Sequence, residues 1–130
     1  MMPTTPNEMI TLARKLSRLE GEACRRAALH QAYYGAYHLA CHEFGLDPAY
    51  EYASATHKIV IDAVKSAPPG SPRMNRLKRY LKKLRTLRVL ADYNLKENIS
   101  KSDVMLAVEM AEQILHSPGQ RNDQNAGMDV

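Results

Sequence analysis

The stretch from Leu77 to Leu95 constrains this chain most. Positions 77, 81, 84, 88, 91 and 95 share one side of a helix with about 3.6 residues per turn. Five of the six are apolar: Leu77, Leu81, Leu84, Ala91 and Leu95. The sixth is Arg88, in the middle of the stripe. A guanidinium keeps its proton, and burying it unpaired costs several kcal/mol. The helix, predicted over about Arg73 to Leu95, must therefore give Arg88 a partner, a cleft or a second subunit to face. Asp92, four residues on, is a candidate partner.

The same segment holds the chain's unbalanced charge. From Arg73 to Arg88 there are eight basic residues and no acidic one, out of 18 Lys and Arg in the chain. Exposed helix faces ordinarily mix both signs. An unmixed face suits a phosphate backbone and also suits an acidic partner protein. Arg76, Arg79, Lys82, Lys83 and Arg85 are the candidate RNA-binding residues.

The remaining segments also read as helices. Thr5-Pro6-Asn7-Glu8 is a capping box with proline in the first turn, followed by Ile10, Ala13, Leu16 and Leu19 at helical spacing. Gly21 marks a break. A long helix is predicted from Glu22 to Phe44, stopping at Gly45. Ala28, Ala32, Gly35 and Leu39 make one of its sides mostly small. Arg26, His30, Tyr33, Tyr37, Cys41 and Phe44 fall on the other, so this helix is expected at the centre of the fold. Leu46 to Ala53 reads as a loop with a turn at Asp47-Pro48. A short helix from near Ser54 ends at Pro68-Pro69-Gly70-Ser71-Pro72. Asn94 to Ile99 reads as a turn, and Ser100 to Asp103 starts a last helix that Ser117-Pro118-Gly119 terminates.

No segment alternates with a strand's period of two. The expectation is an all-α antiparallel bundle of four to five helices, one domain over residues 1–116, with 117–130 a disordered polar tail. The N-terminus lacks a basic and apolar leader, and no apolar run approaches the ~20 residues that span a bilayer. A cytoplasmic protein with no membrane contact is expected. Cys24 and Cys41 on one helix would stand roughly 25 Å apart, too far for a bridge. No residues have metal-ligand spacing, and neither a metal nor a cofactor is expected. Helical bundles often hold small molecules between helices, but no residue here points to a particular ligand.

Three pieces together resemble the HEPN domains of prokaryotes. They are Arg26-Ala27 to Tyr33-Tyr34-Gly35-Ala36-Tyr37-His38, then Thr56-His57-Lys58, then Arg88-Val89-Leu90-Ala91-Asp92-Tyr93. The resemblance covers roughly residues 8–116. It implies a small helical bundle that forms homodimers. Many such proteins are metal-independent ribonucleases and toxins, encoded beside a nucleotidyltransferase antitoxin. Active members carry Arg-x(4–6)-His late in the bundle, and two copies of the motif meet in one cleft between subunits. This chain departs from the motif. Five residues after Arg88 stands Tyr93, and a phenol is a poor proton acceptor at neutral pH where an imidazole is a good one. Arg25 and His30 match the spacing on the second helix, away from the family's site, and are read as a chance match.

The candidate catalytic residues are therefore Arg88, Asp92 and Tyr93. Arg88 would clamp a phosphate or form a structural ion pair with Asp92. Tyr93 should point away from Arg88 on an ideal helix and serve packing or modification. His30, Tyr33, Tyr37 and His38 are candidates to line a cleft facing Arg88, or are ordinary packing. His57 is expected to help start its helix or cap a neighbour, and His42 and His116 to lie at the surface. Two functions remain in view: an RNA-binding, RNA-cleaving homodimeric toxin, and a non-catalytic helical module that binds a partner protein.

Overall fold

The computed structural model describes residues 4–46 and 53–119, and for residues 53–56 the backbone alone. The turn at Asp47-Pro48 and most of the C-terminal tail lie outside the described residues. The described residues form five helices: α1 (Pro6–Ser17), α2 (Glu22–Phe44), α3 (Ala53–Ser66), α4 (Pro72–Tyr93) and α5 (Lys101–His116). There is no strand among the described residues, so the chain is all-α.

Local chemistry sets the helix starts. Thr5 Oγ1 accepts the Glu8 N–H at 3.1 Å, with Pro6 opening α1. Ser71 Oγ accepts the Met74 N–H at 3.1 Å, with Pro72 opening α4. Ser100 Oγ accepts the Asp103 N–H at 3.0 Å and starts α5. Gly45 takes a left-handed φ of 66° and ends α2, a conformation that costs a side-chain-bearing residue more.

Helix α2 packs against all four other helices. Its small face meets α1: a Cβ on Gly35 would lie 2.4 Å from Ile10 Cγ1, so only glycine allows this approach. Its N-terminal end meets the C-terminal end of α4 through Arg26, and its C-terminal Glu43 accepts a hydrogen bond from Ser71 at the start of α4. The two helices therefore run antiparallel. One core cluster joins the helices, with Ile10, Leu29, Tyr33, Leu77, Leu81, Leu84, Val104, Val108 and Ile114 all at 1 % exposure or less.

Three expectations need correction. Leu95 is 74 % exposed and lies beyond α4. Arg26 Nη1 donates to the Ala91 and Asn94 carbonyls at 2.9 and 3.1 Å. The Ala91 carbonyl is the one that a further turn would have paired with the Leu95 N–H, so the helix stops at Tyr93. Leu19 is 52 % exposed because α1 ends at Ser17, with Arg18 and Leu19 bonding back to Lys15 and Leu16 in a tight turn. The first tail residues are packed: Ser117 is 9 % exposed, and the Pro118 carbonyl accepts the Arg73 N–H at 2.9 Å.

Candidate functional site

On α2, His30, Tyr33, Tyr34 and Tyr37 are spaced i, i+3, i+4 and i+7, which stacks them on one face. Arg88 and Asp92 are one turn apart on α4. The α2–α4 contact brings the two sets together, and α3 adds His57.

Arg88 is 5 % exposed. Its Nη1 reaches Asp92 Oδ2 at 3.5 Å, the outer limit of a hydrogen bond. Its guanidinium carbon stands 5.2 Å from the Tyr33 ring centre, 5.1 Å from Tyr34 and 5.9 Å from Tyr93. Each such face contributes about 0.5–2 kcal/mol of attraction. Its Nε–H is buried without a hydrogen-bond partner among the described residues. The charge is therefore stabilised by ring faces but is short of oxygen acceptors.

The same Asp92 oxygen lies closer to His30, at 2.9 Å from Nδ1. The group descends in exposure from His30 at 42 % of its side chain to Asp92 at 23 % and Arg88 at 7 %. His30 also lies 4.6 Å from the Tyr34 ring.

Beneath this row lies a second pair. Tyr33 is fully buried, and its hydroxyl is 2.8 Å from His57 Nδ1. Burial pushes the Tyr33 phenol up to about 12, against the opposing pull of Arg88 and Arg85. The His57 ring stacks on Tyr37 at 4.4 Å between centres. Burial, then the charges of Arg88 and Arg85, hold the His57 imidazole below its usual range. Burial does the same to His38.

The structure thus brings Arg88, Asp92, Tyr93, His30, Tyr33 and Tyr37 into one neighbourhood. Tyr33 and Tyr37, at 0 % and 3 % exposure, form its floor. Tyr93 is 73 % exposed yet turns its ring toward Arg88, which ideal helix geometry did not predict; it occupies the last turn, where the helix ends. His57 was expected near the start of its helix. It sits in the second turn of α3, and its ring belongs to the cluster. His42 was expected at the surface, but its Nε2 is enclosed without a hydrogen-bond partner among the described residues. Tyr34 was singled out only as part of the family pattern; its spacing from His30 was the signal that it belonged. Among the described residues no His, Cys, Asp and Glu cluster could hold a metal ion.

The basic run divides by task. Arg73 donates to the Ile114 and Leu115 carbonyls and caps α5. Lys78 caps α3 through the Val64, Lys65 and Ala67 carbonyls. Arg76 donates to Gln113 Oε1 at 2.6 Å, and Arg79 lies over the Tyr80 ring at 5.9 Å. Lys82, Lys83 and Arg85 are exposed. No helix among the described residues is long and apolar enough to cross a membrane. Comparison of the chain with protein-family models found no match, and comparisons with curated proteins and with solved structures found none either.

Proposed function

We propose that this chain is a HEPN-like RNA-binding protein of the cytoplasm that cleaves RNA as a homodimer and is held in check by a nucleotidyltransferase partner. The carrying observation is Arg88: a guanidinium 5 % exposed which, among the described residues, has no partner for its Nε–H and a single carboxylate contact, at 3.5 Å. Such a charge is under-satisfied for a structural ion pair. A phosphodiester offers two oxygens in the geometry that a guanidinium fork accepts. Arg79, Lys82, Lys83 and Arg85 support the reading as an exposed cationic row on the same helix. Exposed Val89, Tyr93 and Leu95, at 37, 73 and 74 %, offer an apolar surface through which a second copy would bring its own Arg88 close.

The test is total RNA incubated with the purified protein in chelator, beside Arg88→Ala. Fragmentation by the first and not by the second is expected. Equal fragmentation by both, or none by either, removes the cleaving reading. The same exposed apolar surface favours a second reading, a helical module that docks on a partner protein without chemistry of its own. A partner nucleotidyltransferase that co-purifies with the wild type and not with Tyr93→Asp, in a protein that leaves RNA intact, supports that alternative.

A further inference from the structure

Two of the imidazoles around Arg88, His30 and His57, make hydrogen bonds that assign them opposite tautomers. A carboxylate oxygen can only accept, so the contact between Asp92 Oδ2 and His30 Nδ1 at 2.9 Å puts the proton on Nδ1. That leaves the lone pair on His30 Nε2. The imidazole is part exposed, with 42 % of its side chain open to solvent.

His57 is set the other way. Tyr33 is fully buried, and its hydroxyl has His57 Nδ1 as its one hydrogen-bond partner among the described residues, at 2.8 Å. A buried hydroxyl left without an acceptor costs about 1–3 kcal/mol. The phenol therefore donates to Nδ1, and the His57 proton resides on Nε2. His57 can present an N–H, but it has no free lone pair with which to take a proton.

We propose that His30 is the catalytic base of this site, taking the proton of an RNA 2′-hydroxyl, and that Asp92 is the positioning residue that fixes its tautomer. This rests on the RNA-cleaving reading given above. In the step, the 2′-oxygen forms a bond to phosphorus while the O–H proton passes to His30 Nε2. The bond from phosphorus to the 5′-oxygen breaks, and the departing 5′-oxygen takes a proton from water. The products are a 2′,3′-cyclic phosphate and a 5′-hydroxyl. His30 returns its proton to solvent, so no oxidant, reductant or metal enters the balance. Arg88 holds the phosphate charge, and Asp92 ties the two together because one of its oxygens contacts both.

The experiment uses the full chain and a short single-stranded RNA. Cleavage by His30→Ala should fall by ~10²-fold or more, RNA affinity should stay within about twofold, and added imidazole should restore part of the rate. Asp92→Asn should slow cleavage because its amide can donate to Nδ1 and move the proton to Nε2. Long-range nitrogen–proton spectra of the wild type should show His30 protonated at Nδ1 and His57 at Nε2, a readout independent of activity and of variant folding. Wild-type protein that cleaves, with His30→Ala cleaving equally well, overturns the assignment and leaves the RNA-cleaving reading standing. The opposite His30 tautomer also overturns it. A wild type that leaves RNA intact overturns both.

Discussion

At the scale of the residue, Arg88 is a charge that the described residues leave under-satisfied. Arg88 sits where the stripe of Leu77, Leu81, Leu84 and Ala91 calls for an apolar side chain. Three tyrosine faces and a distant carboxylate surround it. A residue kept for stability alone would gain from better partners or from replacement by an apolar chain. Arg88→Met leaves Asp92 its closer contact with His30 and removes a poorly paired buried cation. Its stability in urea is expected to stay within about 2 kcal/mol of the wild type; a larger loss would make Arg88 a structural keystone instead. Two half-buried imidazoles give a second expectation. His38 and His57 both have lowered pKa values. The unfolded chain therefore takes up protons first, near pH 6.5, and stability present above that pH is lost as pH falls. The Glu112 carboxyl is held down by its hydrogen bond to Arg14, so a further loss follows below about pH 4.5. Thermal melts between pH 8 and pH 4 should show the midpoint falling from about pH 6.5 downward. A midpoint flat to pH 5 would contradict the placement of His38 and His57.

At the scale of the element, α2 does most of the organising. Its small face admits α1 closely enough that Gly35→Ala drives a methyl into Ile10, at 2.4 Å from Cγ1 and 2.9 Å from Cδ1. Overpacking of this kind costs about 1–3 kcal/mol, partly offset by the roughly 1 kcal/mol helix preference of alanine. The variant should melt lower, and Gly35→Ala should cost less in an Ile10→Ala chain, which lacks both clashing carbons, than in the wild type; an equal cost would mean that the contact is misplaced. The faces of α2 could be read from spacing alone, because both Gly35's smallness and the row of His30, Tyr33 and Tyr37 are periodic. The end of α4 could not. Leu95 continues the stripe in sequence, but Arg26 from another helix takes the carbonyls that the next turn needs. His57 escaped for a related reason: its role comes from Tyr33 and Tyr37 on α2, and no pattern within α3 reports it. The basic run looked uniform, yet Arg73 and Lys78 are consumed in capping α5 and α3. Arg79, Lys82, Lys83 and Arg85 stay exposed and are the residues that the proposed function gives to RNA. If all four meet phosphates on a single strand, the logarithm of affinity should fall against that of salt with a slope of about −3. Replacing Lys82 and Lys83 with Gln should flatten the slope by about 1.4. An unchanged slope would remove this face from the RNA contact.

At the scale of the whole molecule, the five helices of the described residues share one core, and the candidate site lies where α2, α3 and α4 meet, with His30 at its exposed end. The exposed Val89, Tyr93 and Leu95 lie on and just past the same end of α4. A homodimer built there would set two Arg88 clusters side by side, and light scattering on Val89→Asp should then report half the wild-type mass. The poorly paired Arg88 guanidinium is the feature from which the proposed function follows. The most direct measurement is the affinity of a labelled single-stranded RNA for the wild type and for Arg88→Met, with helicity and melting recorded on the same samples. A charged hydrogen bond contributes about 1.5–3 kcal/mol, so the variant should bind at least tenfold more weakly while keeping its fold. A wild type that does not bind RNA, or a folded Arg88→Met that binds it equally well, would contradict the account.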